Sequence, residues 1–277
     1  MDNRLIGVFD SGVGGLSIWR AIRKLLPQES LAFFADSGHV PYGEKPTEEL
    51  QDLTGRIVRF LLSKDAKLIV IACNTATVHA IAYLREAFPE VPFVGVVPVV
   101  KTLARQTRTG AIAVLSTPAT SESPYLAALI REFASDKDVI NVGCDGLENM
   151  VESGHIRTRA TTALLERHLA PVKGSRADVV GLGCTHYPFL RARIKSILGP
   201  GVRLYDPSRP VARRTRQVLA ERDALAQNPV PSYTFYTTGD TSVFGEVATR
   251  LLRFPVRQAG YVDLDTVDAP SPVRVHA

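Results

Sequence analysis

Nowhere in its 277 residues does this sequence hold an apolar run near the ~18 residues that a membrane helix needs, so no span is expected. Cysteine is scarce as well. Three thiols, an odd number, do not make a disulfide framework. They suit a reducing cytosol, where thiols persist, and a cytoplasmic protein is expected. No CxxC or HxxxH spacing occurs, so no metal site is expected. No lysine sits in a motif that suggests pyridoxal phosphate. The opening MDNRLIGVFDSG lacks a basic n-region and enters a strand at once, so no signal peptide is expected. What is there is a chain 45% hydrophobic, long enough for one large α/β domain or two moderate ones.

The net charge of +5 is unevenly spread. Between Arg157 and Arg222 there are 14 Lys/Arg against 4 Asp/Glu, while the rest holds 19 against 24. Such a stretch invites a nucleic-acid reading. Few aromatics interleave with the arginines, so little is available to stack on bases. The arginines read instead as the solvated faces of helices such as RARIKSIL and ARRTRQVLAERDAL, and no nucleic-acid partner is expected.

Short apolar runs alternate with helical segments along most of the chain. RLIGVF, LAFFA, KLIVIA, PFVGV, AIAVL, DVINV, ADVVGLG, VRLY and YTFYTT read as strands. LSIWRAIRKLL, TEELQDLTGRIVRFLLS, ATVHAIAYLREAF, YLAALIREFA and YPFLRARIKSIL read as helices. This alternation predicts parallel βαβ construction, with ligands outside the carboxyl ends of the strands. From Pro255 the sequence is rich in Pro, Val and Asp without period, and a surface tail is expected over 255–277.

Four stretches at strand ends could carry chemistry. FDSGVGGLS (9–17) has the Gly12 and Gly14 spacing of a dinucleotide fingerprint, with Asp36 closing the second strand 22 residues after Gly14. Ser17 in place of the third glycine counts against that reading. So does Asp10 at the loop mouth, where a carboxylate would repel a pyrophosphate. Asp10 fits better as a group acting on a proton or a cation, or as a cap on the following helix. ADSGHVPYGEK (35–45) reads as a binding loop after a strand tip. ACNTA (72–76) and GCTHYP (183–188) each deliver a cysteine to the end of an apolar run, followed by threonine and a helix. The likeness of these two segments suggests two similar units, each presenting one thiol. Cys144 in NVGCDG has no polar motif around it and reads as structural.

A nucleophilic cysteine needs a base, and His186 lies two residues from Cys184. Cys73 has only His79, beyond the first turn of its helix and pointing elsewhere. Two thiols on similar tips suit a different task. Inverting a stereocentre that bears a hydrogen takes one group to remove the proton and another of comparable basicity to deliver one to the opposite face. A thiol ionising near ~8.5 needs only a modest shift to serve either way. Asp10 beside one thiol and His186 beside the other would manage the protons.

FDSGVGGLS, ADSGHVPYGEK, IACNTAT, STPAT, GLGCTHYP and FYTTGD stand in the order found in bacterial glutamate racemases, and the chain resembles that family from about residue 5 to about 254. The resemblance implies two parallel-sheet α/β domains related by pseudo-two-fold symmetry, with the active site in the cleft between them and no cofactor. The first domain would take 1–97 and 208–254, the second 98–207. It implies that Cys184 takes the α-proton of L-glutamate and Cys73 protonates the other face, with roles exchanged for D-glutamate. Asp10 would assist Cys73, and His186 would assist Cys184, with Glu152 in MVESG supporting the histidine. Asp10, Ser11, Tyr42, Gly43, Asn74, Thr75, Thr185 and His186 fall at substrate-contacting positions. The resemblance further implies a small-molecule substrate, glutamate, a site that closes and dries around it, and a D-glutamate supply for peptidoglycan. Oligomeric state is left open, a homodimer included. Val97 stands where many relatives carry an acidic residue. Competing readings are an aspartate racemase of the same plan, a Cys184–His186 hydrolase or transferase, and a non-catalytic amino-acid binding protein.

Overall fold

Apolar runs of five or six residues that are buried on both faces read as unbroken hydrophobic strands, and such strands need helices on either side. The computed structural model, which describes residues 1–96 and 99–268, has that construction. Val97 and the 269–277 part of the expected tail lie outside the described residues.

The chain forms two compact units. Unit 1 begins with β1 (Leu5–Asp10), α1 (Leu16–Leu25), β2 (Leu31–Ala35), α2 (Thr47–Ser63), β3 (Ala66–Ile71), α3 (Asn74–Ala87) and β4 (Phe93–Gly95). Unit 2, Val97–Pro207, contains α4 (Val100–Gln106), β5 (Ala111–Ser116), α5 (Pro118–Ser121), α6 (Pro124–Phe133), β6 (Asp138–Gly143), α7 (Leu147–Glu152), α8 (Arg159–Lys173), β7 (Val179–Leu182), α9 (Arg191–Leu198) and β8 (Arg203–Tyr205). From Ser208 the chain returns to unit 1 with α10 (Ser208–Glu221), β9 (Tyr233–Thr237), α11 (Thr241–Leu252) and β10 (Gly260–Tyr261).

Unit 1 is built on a six-stranded sheet in the order β10-β9-β2-β1-β3-β4, every pairing parallel. All five residues of β2 and all six of β3 are buried. In α2, Leu50, Leu53, Ile57, Val58 and Leu61 recur at helical spacing and form the buried face, while Glu48 and Glu49 in its first turn favour the positive end of the helix dipole. Unit 2 carries a four-stranded parallel sheet, β6-β5-β7-β8. Its core joins Ile112, Val114 and Val179 to Val100 and Leu103 of α4 and Leu126 of α6.

The segment from Pro255, expected as a surface tail, is corrected over part of its length. Gly260 and Tyr261 add the edge strand β10 beside β9, Val262 and Leu264 are buried, and a 3₁₀ turn follows at Leu264–Thr266. Val256 is buried as well, and Arg56 of α2 donates to the carbonyls of Leu264 and Val267, so the stretch is held by packing and hydrogen bonds that its composition does not show.

Parallel pairing puts the carboxyl ends of neighbouring strands at one edge of each sheet. In unit 1 the register sets Asp10 opposite Ala35, and Phe9 opposite Ile71. Asp10, Asp36 and Cys73 therefore leave the sheet side by side, with Thr238 beyond β9 on the same edge.

Candidate active site

Asp10, the last residue of β1, is fully buried. Its Oδ1 accepts the Ser11 N–H at 2.8 Å and the Ser11 hydroxyl at 3.3 Å, and its Oδ2 accepts the Gly15 N–H at 2.5 Å. The carboxylate thus folds the 11–15 loop around itself and caps the entry to α1. A side chain at Gly15 is not tolerated, because its Cβ would stand 2.7 Å from the Cβ of Asp10 and 2.9 Å from that of Ala72. The close backbone approach read from the glycines serves Asp10, and the capping role coexists with whatever proton chemistry the carboxylate performs.

Cys73 is the N-cap of α3. Its sulfur accepts the Ala76 N–H at 3.5 Å and lies 3.8 Å from the Ser11 hydroxyl. Burial, followed by the charge of Asp10, pushes this thiol well above its ordinary range, against the pull of the Ala76 and Ser11 hydrogen bonds. The surroundings therefore keep Cys73 as S–H. Asn74 and Thr75 occupy the first turn of α3, with Asn74 buried and Thr75 half-buried. Tyr42 and Gly43 lie in a 3₁₀ turn, Tyr42–Glu44, after β2. Tyr42 is buried and donates its hydroxyl to Asp36 Oδ2 at 2.6 Å. His79 turns away from the thiol, its Nδ1 standing 2.9 Å from the Thr47 hydroxyl.

In unit 2, Cys184 follows β7 and is 8% exposed. Its sulfur is 3.4 Å from His186 Nδ1, and His186 Nε2 is 2.5 Å from Glu152 Oε1 at the end of α7. Burial would depress the imidazole, but Cys184 and Glu152, by charge and by hydrogen bonding, outweigh it and hold His186 well above its ordinary value. Thr185, between the two, is buried. Cys144 is buried at the end of β6 with its sulfur 3.6 Å from the Val142 carbonyl. Its thiol is pushed up to about 12 by burial first, then by the charges of Cys184 and Glu148.

The sequence-predicted groups thus gather within their own units: Asp10, Ser11, Tyr42, Cys73 and Asn74 in one, Cys184, Thr185, His186 and Glu152 in the other. Asp36 was not singled out as a site residue. It is fully buried and accepts Tyr42, Thr238 and His39. The signal was present, since D-S-G occurs at 10–12 and again at 36–38. Among the described residues no group of three His, Cys, Asp or Glu is placed to hold a metal ion, and no helix is long and apolar enough to cross a membrane.

The sequence pattern of the family described as Asp/Glu/Hydantoin racemase matches residues 14–215. A protein of Ectopseudomonas mendocina (strain ymp) named glutamate racemase is 44% identical over 247 residues, covering 89% of this chain and 94% of that one. The crystal structure of a glutamate racemase isoform from Bacillus anthracis superposes with a TM-score of 0.83 at 34% identity, over 95% of this chain and 99% of that one. A glutamate racemase from Francisella tularensis, crystallised with D-glutamate, gives 0.81 at 30% identity, over 96% and 99%.

Proposed function

This chain belongs to the Asp/Glu/hydantoin racemase family, and from that premise we propose that it is a glutamate racemase working through proton transfer at Cα, with Cys73 and Cys184 serving opposite faces. The observation that carries the reading is a pair of thiols at matching strand ends, Cys73 after β3 beside a buried carboxylate and Cys184 after β7 with an imidazole at 3.4 Å. Cys73 lies among groups that favour S–H. Cys184 lies 3.4 Å from the His186 imidazole, which Cys184 and Glu152 together hold well above its ordinary value. A two-thiol racemase needs one acid and one base, and we assign the acid to Cys73 and the base to Cys184 for the L-to-D direction.

In that direction the Cys184 sulfur takes the α-proton. The electron pair left at Cα receives the Cys73 proton on the other face, and the two sulfurs finish with their protonation exchanged. The reverse direction runs the same steps backwards. Asp10 beside Cys73 and His186 beside Cys184, steadied by Glu152, reset the protons. Ser11, Tyr42, Gly43, Asn74, Thr75, Thr185 and His186 are the proposed substrate contacts. An α-proton beside a carboxylate is a very poor acid, so the bound substrate must be kept from water among placed donors. Side chains alone carry the proposed proton transfers, without a cofactor. In a cytoplasmic setting the product would supply D-glutamate to peptidoglycan.

The test is incubation with L-glutamate in D2O without added cofactor, following circular dichroism and Cα deuterium together. Ellipticity should decay to zero as deuterium enters Cα, and Cys73→Ser and Cys184→Ser should each abolish racemisation. Exchange on aspartate alone would change the substrate and keep the chemistry; exchange on neither would sink the racemase reading. The Cys184–His186–Glu152 relay also has the form of a cysteine hydrolase. That second reading predicts a trappable thioester on Cys184 and a Cys73→Ser variant of full activity.

A further inference from the structure

FYTTGD (235–240) is a motif that the proposed chemistry leaves without a task. Its second threonine, Thr238, follows β9 on the carboxyl edge of the six-stranded sheet, and its N–H donates to the Ala35 carbonyl at 3.2 Å. The Thr238 hydroxyl donates to Asp36 Oδ1 at 2.7 Å and accepts the Gly38 N–H at 2.9 Å. The two loops meet without room for side chains. A Cβ on Gly38 would stand 2.9 Å from the Thr238 carbonyl oxygen, and one on Gly239 would stand 3.1 Å from the Cβ of Ser37.

Asp36 passes this anchorage on. Its Oδ1 also lies 2.6 Å from His39 Nδ1, and its Oδ2 takes the Tyr42 hydroxyl at 2.6 Å. Tyr42 in turn belongs to the buried cluster that contains Cys73 and Ala76. Burial first, then the charge and hydrogen bond of Asp36 and the charges of Cys73 and Asp10, keep the Tyr42 phenol far from ionising.

We propose that Thr238 is a positioning residue for the Cys73 half of the site: its hydroxyl fixes the Asp36 carboxylate, and Asp36 fixes the ring of Tyr42 in the buried cluster that it shares with Cys73. The direction of the Tyr42 hydrogen bond follows. Its one O–H proton is committed to Asp36, so toward a ligand the phenol oxygen presents only lone pairs. Tyr42 therefore accepts from a substrate N–H, and its hydroxyl does not donate to a substrate carboxylate.

The kinetic consequence rests on the glutamate racemase reading; the packing consequence does not. Both are measured on the full chain in Thr238→Val, which removes the hydroxyl at nearly constant shape, in Thr238→Ser, which keeps it, and in Asp36→Asn, which takes one of the two acceptor oxygens from the Thr238–Tyr42 relay and leaves Thr238 in place. Released from its anchor, Tyr42 should bind glutamate poorly, so KM for both enantiomers should rise about tenfold while kcat stays within about threefold. Iodoacetamide labelling of Cys73, read by peptide mass spectrometry without substrate, should accelerate several-fold in Thr238→Val and Asp36→Asn. Thr238→Ser should restore both readouts. A Thr238→Val protein with wild-type KM and wild-type labelling overturns the proposal, as does a serine variant no better than valine. If the wild-type protein does not turn over glutamate, the racemase reading fails, and the labelling rates alone decide the role of Thr238.

Discussion

Cys73 and Cys184 occupy equivalent strand tips and meet opposite neighbours, a carboxylate for one and an imidazole for the other. The difference gives a prediction for Glu152→Gln. Losing the carboxylate charge lowers His186 toward its ordinary 6.5, so the imidazolium beside Cys184 is less favoured at neutral pH. On the proposed mechanism kcat/KM should fall about tenfold or more, and by the same factor in both directions because the equilibrium constant between enantiomers is one; polarimetry in both directions measures it. Linkage gives a second readout. Because His186 titrates above 6.5 in the fold, its contribution to stability is complete below 6.5 and is lost as pH rises through its folded value. In Glu152→Gln that contribution should be smaller and its loss complete at lower pH in melting curves. The thiols themselves were legible in the sequence, because IVIACNTAT and DVVGLGCTHYP change from apolar to polar at the cysteine, which is where a strand leaves its core. The Glu152–His186 contact was reached only through family likeness, and the Asp36–Thr238 contact was not reached at all. Their partners are 34 and 202 residues apart, and no local pattern encodes such a pairing.

At the scale of elements, long periodic segments were read well. LAFFA is β2 residue for residue, and TEELQDLTGRIVRFLLS is α2. β10 was missed because two residues hold no periodicity and their stability comes from the β9 edge they join. The opposite edge of the unit 2 sheet shows what pins a short strand. Asp178, just before β7, accepts the Thr107 hydroxyl at 2.6 Å, the Thr109 hydroxyl at 3.1 Å, the Arg108 N–H at 3.1 Å and the Arg203 guanidinium at 2.8 Å. One carboxylate thereby fixes the turn before β5 and the start of β8. Burial raises its pKa, but these hydrogen bonds outweigh that and pull it well below the usual carboxylate value of 3.8. Asp178→Asn should cost about 2 kcal/mol in urea unfolding at neutral pH. With the folded pKa depressed, that contribution is present above 3.8 and fades only as pH falls through the folded value. The gap between variant and wild type should therefore be the same at pH 7 and pH 5.

Over the whole molecule, unit 1 is assembled from two distant stretches of chain, and a buried ion pair helps to join them. Lys67 Nζ lies 2.7 Å from Glu29 Oε2, with both side chains almost fully buried. The ammonium also donates to the carbonyls of Asp2 and Ala224, the latter at 2.8 Å, while Glu29 Oε1 accepts the Ala226 N–H at 2.9 Å. Lys67→Met leaves a buried carboxylate unpaired and should cost roughly 3–5 kcal/mol in denaturant melts. Adding Glu29→Gln to it should recover a large part of that loss, since the stranded charge is then gone.

The place of β9 in the sheet also sets a timetable. A nascent chain leaving the ribosome delivers β1 to β4 first, then all of unit 2, and only afterwards β9, which pairs with β2. Until that strand emerges, β2 has a bare edge and Asp36 lacks the threonine that steadies it. Unit 2 is contiguous and can condense while translation continues, as domains generally do. The surroundings of Cys73 wait for β9, so the unit whose residues are synthesised first is the one completed last.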